Sequence, residues 1–352
     1  MTIEWLAGNR IKGTTAERPN LGLPSGSVGG WVEVGRTTLG SSSYSIDVTS
    51  LPDKRYYMIL ANSIFTNPTG HDMRSRFNSD ISSNYSWRWS NNGGSDTTNT
   101  TQTYTSPLHD PWVSGGFVVG YISNLSNKEK LTISHSVDSD TLGAGYAPRR
   151  KEDVGKWTNA SDSISSYTLY EAGANPNTSG AEVVVLGWDP ADTHTSNFWE
   201  ELASVELSSS GDQLSTGSFS AKKYLWCQVF TKNSSTTNAK FTFNNDTGNN
   251  YAYRHNLNGS EGTSISQPQF QINAANGSAF YNMFIINNSD NEKLVIGHTA
   301  DQNTAGAGTV PDRLESVAKW ANTSSQITEI DVDNTSAGSF DTGSIIKVWG
   351  AD

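Results

Sequence analysis

The sequence contains two similar halves, and this internal repeat constrains the fold more than any other feature. Residues 31–39 (WVEVGRTTL) align with residues 199–207 (WEELASVEL), 168 positions later. Residues 77–89 (FNSDISSNYSWRW) align with residues 243–255 (FNNDTGNNYAYRH), now 166 positions apart, and the Lys-Trp pairs that end at Trp157 and Trp320 are 163 apart. An offset that changes in small steps is typical of loop insertions on a common framework. The pattern predicts tandem domains at 31–189 and 199–352, with a short linker at 190–198.

Composition and short apolar runs predict an all-β chain. Apolar residues make up 34 % and charged residues 17 % of the 352 positions, and short β-rich runs alternate with turns that contain Asn-Gly or Gly-Gly pairs. Each copy should therefore form a two-sheet β-sandwich, most plausibly jelly-roll-like. Only Arg150–Trp157 and its counterpart Arg313–Trp320 are compatible with a helical turn or two. No run of 18 apolar residues exists, so membrane insertion is not expected.

Residues 1–30 belong to neither copy and lack an amphipathic pattern. We expect an extended N-terminal arm that gains order by packing on another subunit or on a scaffold. Its candidate assembly residues are Asn9, Arg10, Ile11 and Lys12. No cationic region precedes a hydrophobic stretch, so no signal peptide is predicted, and synthesis in a host cytoplasm is expected.

Charge and cysteine content favour some partner classes over others. The formal net charge is -11, which makes nucleic acid a poor partner because phosphate binding needs a basic surface. The one tight basic cluster, Arg149-Arg150-Lys151, is followed at once by Glu152-Asp153 and is interpreted as a solvated loop. Cys227 is the single cysteine, so no intrachain disulfide forms.

Two repeated features could bind a cation. The turns that contain Asp80 and Asp246 carry oxygen ligands, yet their spacing departs from a calcium loop and no bidentate glutamate closes it. Turn stabilisation by Asn and Asp, or ion pairs to Arg88 and Arg254, are the alternatives. His135 and His298 occupy equivalent strand ends and could share a metal only if the domains brought them together. The favoured interpretation is one partly buried histidine in each core, and no metal or cofactor is predicted.

Matched carboxylates raise the question of catalysis. Glu152 matches Glu315 and Asp138 matches Asp301, as a glycosidase pair might require. A catalytic apparatus kept in both copies is unusual, however, whereas framework residues kept in both are expected. We therefore predict no catalytic residue.

An aromatic ladder is the one candidate for ligand contact. Alternating rings can stack on sugars, or they can fill a core and pair across strands. Core packing is favoured because aromatic character persists in the second copy at equivalent positions. The candidate glycan-contact residues are Tyr85, Trp87, Trp89, Tyr251 and Tyr253.

Several motifs resemble a viral family. The arm GNRIKGTTAER, the segment GGWVEVGRTTLG, the blocks KRYYMILAN and GKWTN, and the closing GSIIKVWGAD resemble virion structural proteins of tailed viruses of marine bacteria and archaea. The likeness spans the arm and both domains. The second copy departs from it at its 199–204 start and its 309–313 turn, so its surface role is expected to differ.

The resemblance implies a non-enzymatic virion component displayed on the particle, either a capsid decoration or a short fibre. The arm would bind other virion proteins, and the chain is expected to form homo-oligomers, with a trimer as one option. The alternative is a receptor- or carbohydrate-binding module of a tail or fibre that contacts a cell-surface glycan. A glycan depolymerase is a remote third option.

Overall fold

The computed structural model describes residues 30–66, 72–106, 115–173, 175–192, 196–234, 237–271, 277–302 and 304–352. All regular elements in these ranges are β-strands, and their pairing is antiparallel. The all-β prediction is therefore confirmed. No helix of the described ranges has the length and hydropathy needed to cross a membrane.

The first sandwich consists of eleven strands. They are β1 (Val32–Thr38), β2 (Ser45–Val48), β3 (Tyr56–Ile64), β4 (Met73–Phe77), β5 (Tyr85–Asn91), β6 (Thr97–Gln102), β7 (Gly115–Ser123), β8 (Lys130–Asp138), β9 (Arg149–Trp157), β10 (Tyr167–Glu171) and β11 (Glu182–Trp188). The large sheet has the order β1-β11-β3-β7-β8-β9-β5-β6, and the small sheet has the order β2-β10-β4.

The second sandwich repeats this arrangement with one additional short strand. Its strands are β12 (Glu200–Glu206), β13 (Gln213–Ser215), β14 (Tyr224–Thr231), β15 (Ala239–Phe243), β16 (Tyr251–Leu257), β17 (Ser260–Gln267), β18 (Phe270–Gln271), β19 (Ala279–Ile286), β20 (Lys293–Asp301), β21 (Asp312–Trp320), β22 (Ile330–Asn334) and β23 (Ile345–Ala351). The large sheet has the order β12-β23-β14-β19-β20-β21-β16-β17, and the small sheet has the order β13-β22-β15-β18.

Each sandwich has its own apolar core. Alternate residues of a strand point to opposite faces of its sheet, so Val118 and Ile122 of β7 join one cluster while Phe117 and Val119 join another. The core of the first sandwich contains Trp157, and the core of the second contains Trp320; each indole is 1 % exposed. Both matched tryptophans are therefore core residues of their own sandwiches.

The expected Asn-Gly turns hold two hairpins in register. Asn258 and Gly259 have φ values of 51° and 93° and join β16 directly to β17, and Asn92 and Gly93 follow β5 with φ values of 50° and 73°. Positive φ at both positions suits a type I′ turn, whose twist matches that of the flanking strands.

The two segments interpreted as helix-compatible are strands, so that interpretation is wrong. Arg150–Trp157 lies in β9, which pairs with β5 and β8, and Arg313–Trp320 lies in β21, which pairs with β16 and β20. Their polar composition obscured a period of two. In β9, Lys151 and Asp153 point inward with Trp157, whereas Arg150 and Glu152 point to the outer face.

Candidate functional site

The outer faces of the two large sheets pack against each other through a third hydrophobic cluster. Its first-sandwich members lie on β3, β7, β8 and β11, and its second-sandwich members lie mainly on β14, β19, β20, β21 and β23. The buried residues are Met58, Leu60, Phe117, Val119, Val137, Val184, Leu186, Trp199, Tyr224, Phe284, Ile286, Leu294, Ile296, Val317, Trp349 and Ala351. This contact between sandwiches brings together both candidate histidines, one pair of matched glutamates and Arg150.

His135 and His298 meet at this contact. Their ring centroids are 4.5 Å apart with an interplanar angle of 74°. Burial, together with the neighbouring His298, lowers the pKa of His135 to about 3. Burial, together with the charge of Arg150, lowers the pKa of His298 to about 4. The expectation of one histidine in each separate core is therefore wrong, because both side chains lie on outer sheet faces that cover each other. Within the described ranges, no group of three His, Cys, Asp or Glu residues could hold a metal ion.

Arg150 is the central cation of the contact. Its side chain is 3 % exposed and pairs with Glu152 of its own strand. Across the contact, Nη1 lies 3.4 Å from Glu261 and donates to the Glu315 carbonyl at 3.0 Å, and Nη2 lies 3.7 Å from the Glu315 carboxylate. Arg150 is therefore surrounded by three carboxylates. The solvated-loop interpretation of 149–151 is wrong because Arg150 and Lys151 are both buried within β9.

Glu152 and Glu315, the matched carboxylates, are brought together by Arg150. Burial, together with the charge of Glu315, raises the pKa of Glu152 to about 7 against the opposing charge of Arg150. Burial also raises the pKa of Glu261. Such a carboxyl group could hold a proton near neutral pH, but the guanidinium fills the space between the acids. Asp138 and Asp301, the other matched pair, are buried at 0 % and 1 % exposure.

A loop of the first sandwich is bonded to the second sandwich. The Lys319 Nζ, 0 % exposed, donates to the Ser139 carbonyl at 3.0 Å and to the Thr141 carbonyl. Arg254 Nε donates to the Pro148 carbonyl at 3.0 Å, and the Ser266 amide donates to the Ala144 carbonyl at 2.7 Å. These bonds satisfy backbone carbonyls that the contact buries.

Glu182 forms a second polar centre at the opposite side of the apolar cluster. Its Oε1 accepts hydrogen bonds from Tyr224 Oη at 2.7 Å, Lys223 Nζ at 3.0 Å and Arg36 Nη1 at 3.2 Å. Burial would raise the pKa of this carboxyl, but the Thr38 hydrogen bond and the Lys223 charge outweigh burial and lower it. Sequence reasoning missed Glu182, because a glutamate at the start of an apolar strand carries no motif.

Four of the five rings in the aromatic ladder point into the interior of their sandwiches. Tyr85 and Tyr251 are 0 % exposed, Trp87 and Tyr253 are 8 % exposed, and only Trp89 is partly accessible. Arg88, between the two tryptophans, faces solvent. These residues therefore do not form a row of rings open to a sugar, and the favoured core interpretation holds for the four buried rings.

The repeated Asx turns stabilise the fold. Asp80 Oδ2 accepts a hydrogen bond from Trp157 Nε1 at 2.7 Å, and Asp246 Oδ2 accepts one from Trp320 Nε1 at the same distance. The proposed ion pairs to these aspartates are wrong: Arg88 pairs with Asp96 at 2.9 Å, and Arg254 binds Pro148 and Glu261 instead. The candidate arm residues 9–12 lie outside the described residues.

The histidine pair predicts acid sensitivity. Because both folded pKa values lie below the usual 6.5, the folded protein binds fewer protons than the unfolded chain between about pH 6.5 and 4. The stability that this pair contributes is complete above pH 6.5 and is lost as pH falls. We expect a loss on the order of 2 kcal/mol per histidine at pH 5. Urea denaturation across pH 8 to 5 should show a smaller acid loss in the His135→Gln/His298→Gln variant than in the wild type.

A matched control separates this effect from other titrations. The raised pKa of Glu152 has the opposite effect, because the stability that this carboxyl contributes falls as pH rises from about 4.5 to 7. Glu152 is present in both the wild type and the double variant. His255→Gln leaves the pair intact but removes a histidine whose pKa burial also lowers, so its acid loss should fall between that of the wild type and that of the double variant. Equal acid loss in the wild type and the double variant would contradict the prediction.

The comparisons with known proteins give weak likenesses only. No family model and no curated protein matches the sequence. Among solved structures, the chain is similar to domains LG4-5 of the mouse laminin alpha1 chain, with 10 % identity, 90 % of this chain and 89 % of that chain covered, and a TM-score of 0.20. It is also similar to the LG1-3 region of the laminin alpha2 chain, with 9 % identity, coverage of 87 % and 64 %, and a TM-score of 0.20. Likenesses of this size carry no functional argument.

Proposed function

We propose that the protein is a non-enzymatic structural component of a virus particle, displayed on its surface as a capsid decoration or short fibre. One observation supports this most: the residues that the two halves share are engaged in holding the sandwiches and their mutual contact. The Asx turns bind core tryptophans, and the matched glutamates surround Arg150. The sequence resemblance to virion structural proteins supports the same proposal.

Location on the particle is the direct test. Cryo-electron microscopy of virions from cells that produce this chain should show paired sandwiches at repeated positions on the capsid or tail. Mass spectrometry of the same particles should give a copy number that matches those positions. A chain that is abundant in the lysate and missing from purified virions would contradict the proposal.

We further infer that the two sandwiches arose by tandem duplication. Their large sheets share one strand order, and their cores repeat the same contacts. The Phe77 amide donates to Tyr85 Oη at 3.0 Å, and the Phe243 amide donates to Tyr251 Oη at 2.9 Å. Loop-length differences at similar strand lengths fit insertions after duplication.

If the proposal holds, residues 1–29 should be needed for attachment to the particle and not for folding. A chain that starts at Gly30 should fold, because the described strands begin at Val32. It should lose incorporation into particles, measured by co-sedimentation with virions assembled in its presence. Thermal unfolding at the wild-type temperature is the control for folding. Incorporation at the wild-type level would show that residues 1–29 are not the anchor.

The carbohydrate-binding alternative has less support because most of its rings are buried. Under this alternative, Trp89, the most accessible of the five rings, would have to contact the glycan. A glycan array with wild type and Trp89→Ala tests it directly. Micromolar binding that disappears in the variant would promote this alternative over structural display.

A further inference from the structure

The interior of the first sandwich contains a small polar cavity. It lies between β7, β8 and β9 of the large sheet and β4 of the small sheet, and it offers about 20 Å³ to the centre of a water molecule. One water molecule needs about 10–15 Å³ on this measure, so the cavity has room for one. The polar side chains in its lining include Ser75, Thr105, Thr132, Ser134, Asp153 and Tyr167.

Asp153 brings a carboxyl group into this cavity. The residue is 2 % exposed, and Ser134 Oγ donates to its Oδ1 at 3.4 Å. The other oxygen, Oδ2, is buried without a hydrogen-bond partner among the residues that the structure describes. Burial raises the pKa of Asp153 against the opposing charge of Lys151. A buried carboxyl oxygen without a partner costs free energy, so Oδ2 calls for a hydrogen-bond donor inside the cavity.

Thr132 brings a second oxygen atom of this kind. Its Oγ1 is buried and has no hydrogen-bond partner within the described ranges. Thr132 pairs with Gly155, two residues after Asp153 on β9, so the Thr132 and Asp153 side chains point to the same inner face. Ser75 and Thr105 also line the cavity, but their hydroxyl oxygens bond each other at 2.7 Å. Asp153 and Thr132 are therefore the groups that remain for an occupant.

The second sandwich has apolar side chains at the equivalent place. Trp157 and Trp320 end the matching strands β9 and β21. Four residues before each tryptophan stand Asp153 in the first sandwich and Ser316 in the second. Strand register gives the other replacements, which are Gly120 by Met283, Thr132 by Val295, Ser75 by Phe241 and Thr105 by Phe270. All four replacing side chains belong to the core cluster of the second sandwich.

Gly120 leaves the room at the centre of the cavity. A Cβ atom at this position would lie 3.6 Å from Ser134 Cβ and 3.7 Å from Ile59 Cβ, which are ordinary contact distances. A methyl group would therefore fit without a clash and would take up part of the cavity that Gly120 lines. In the second sandwich the long side chain of Met283 starts from the matching position and is 0 % exposed.

We propose that the first sandwich binds one buried water molecule in this cavity, where it bridges Asp153 Oδ2 and Thr132 Oγ1. A water molecule can donate to a carboxylate and accept from a hydroxyl at the same time, and buried water typically bonds such otherwise unpaired groups. A metal cation is a poorer occupant, because the positive charge of Lys151 already acts on Asp153. The inference does not depend on a role in virions.

Counting long-lived internal water in the full chain tests the proposal. Magnetic relaxation dispersion of water oxygen-17 counts water molecules that stay inside a protein for longer than it tumbles. The wild type should hold one more such molecule than Gly120→Ala, whose methyl group takes its space. A crystal structure of the wild type should place the water oxygen about 2.5–3.0 Å from both Asp153 Oδ2 and Thr132 Oγ1.

Two further variants provide a second test and a matched control. Thr132→Val keeps the side-chain shape but removes one partner of the water, so it should also lose one long-lived molecule, whether or not Gly120→Ala folds. Met283→Ala opens space among apolar side chains of the second sandwich and should gain no such molecule, because a dry apolar cavity is expected there. It should bind xenon instead.

Two results would overturn the proposal. The first is an equal number of long-lived water molecules in the wild type and in every folded variant of Gly120 and Thr132. The second is an anomalous peak in the cavity after thallium(I) soaking of wild-type crystals, which would identify the occupant as a monovalent cation and not water.

Discussion

Replacing Trp157 with alanine is expected to lower the free energy of unfolding by about 3–5 kcal/mol, the usual result of deleting a large buried aromatic side chain. The indole is 1 % exposed, lies 5.8 Å from the Phe77 ring, and stacks on Tyr85 at 6.3 Å. The substitution also removes one of the hydrogen-bond donors that lower the pKa of Asp80 against the effect of burial. Urea denaturation gives the total loss. Hydrogen exchange, followed strand by strand, shows where protection is lost.

The matched substitution Trp320→Ala separates local from global effects. Trp157 belongs to a cluster of first-sandwich residues and Trp320 to a cluster of second-sandwich residues, so each variant should lose protection mainly in its own strands. Trp157→Phe keeps most of the apolar volume and should lose about 1–2 kcal/mol through the missing hydrogen bond. Equal loss of protection in both sandwiches after either substitution would contradict this prediction.

The positions of the strands were predictable because residues in and beside each strand indicate where it lies. Alternation in 131–135, Asn-Gly pairs, and the internal repeat all report on backbone geometry within a few residues or on a framework used twice. The prediction for 150–157 failed because charged residues on both faces of the strand conceal its period of two. The inward charges of β9 are partnered inside the sandwich, as in the Lys151 bond to Ser106 at 2.8 Å. In 313–320 the charged residues share one face, but Val317 on that face and Ser316 on the inner face blur the alternation.

The contact between the sandwiches was not predictable from one sequence. Ile133 and Ile296 stand at matching positions in matching strands, yet one is exposed and the other is buried. The difference depends on which parts of the two sheets meet, and a pairing across about 160 residues leaves no local signal. For the same reason, neither the meeting of His135 with His298 nor the role of Glu182 could be read from the sequence.

Arg150→Met should destabilise the folded protein by about 3 kcal/mol at pH 8, because it leaves three partly buried carboxylates without their cation. Burial holds the pKa of Glu152 at about 7 even with Arg150 present, and raises that of Glu261. A raised folded pKa means that the contribution of the acid to stability is complete below about pH 4.5 and is lost as pH rises. Without Arg150 these pKa values rise further, so the loss should be markedly smaller at pH 5 than at pH 8.

The second sandwich supplies the control at the equivalent position. Arg313 has a side chain that is 64 % exposed and pairs with Glu315 at 3.7 Å, so Arg313→Met should change stability by less than about 1 kcal/mol at either pH. Adding Glu152→Gln to Arg150→Met should recover part of the loss, which a double-mutant cycle measures as coupling. A loss that is independent of pH and unaffected by Glu152→Gln would mean that Arg150 acts through packing of its side chain and not through its charge. In that case the three surrounding carboxylates would have to be hydrated in the folded protein, which their partial exposure of 21–29 % permits.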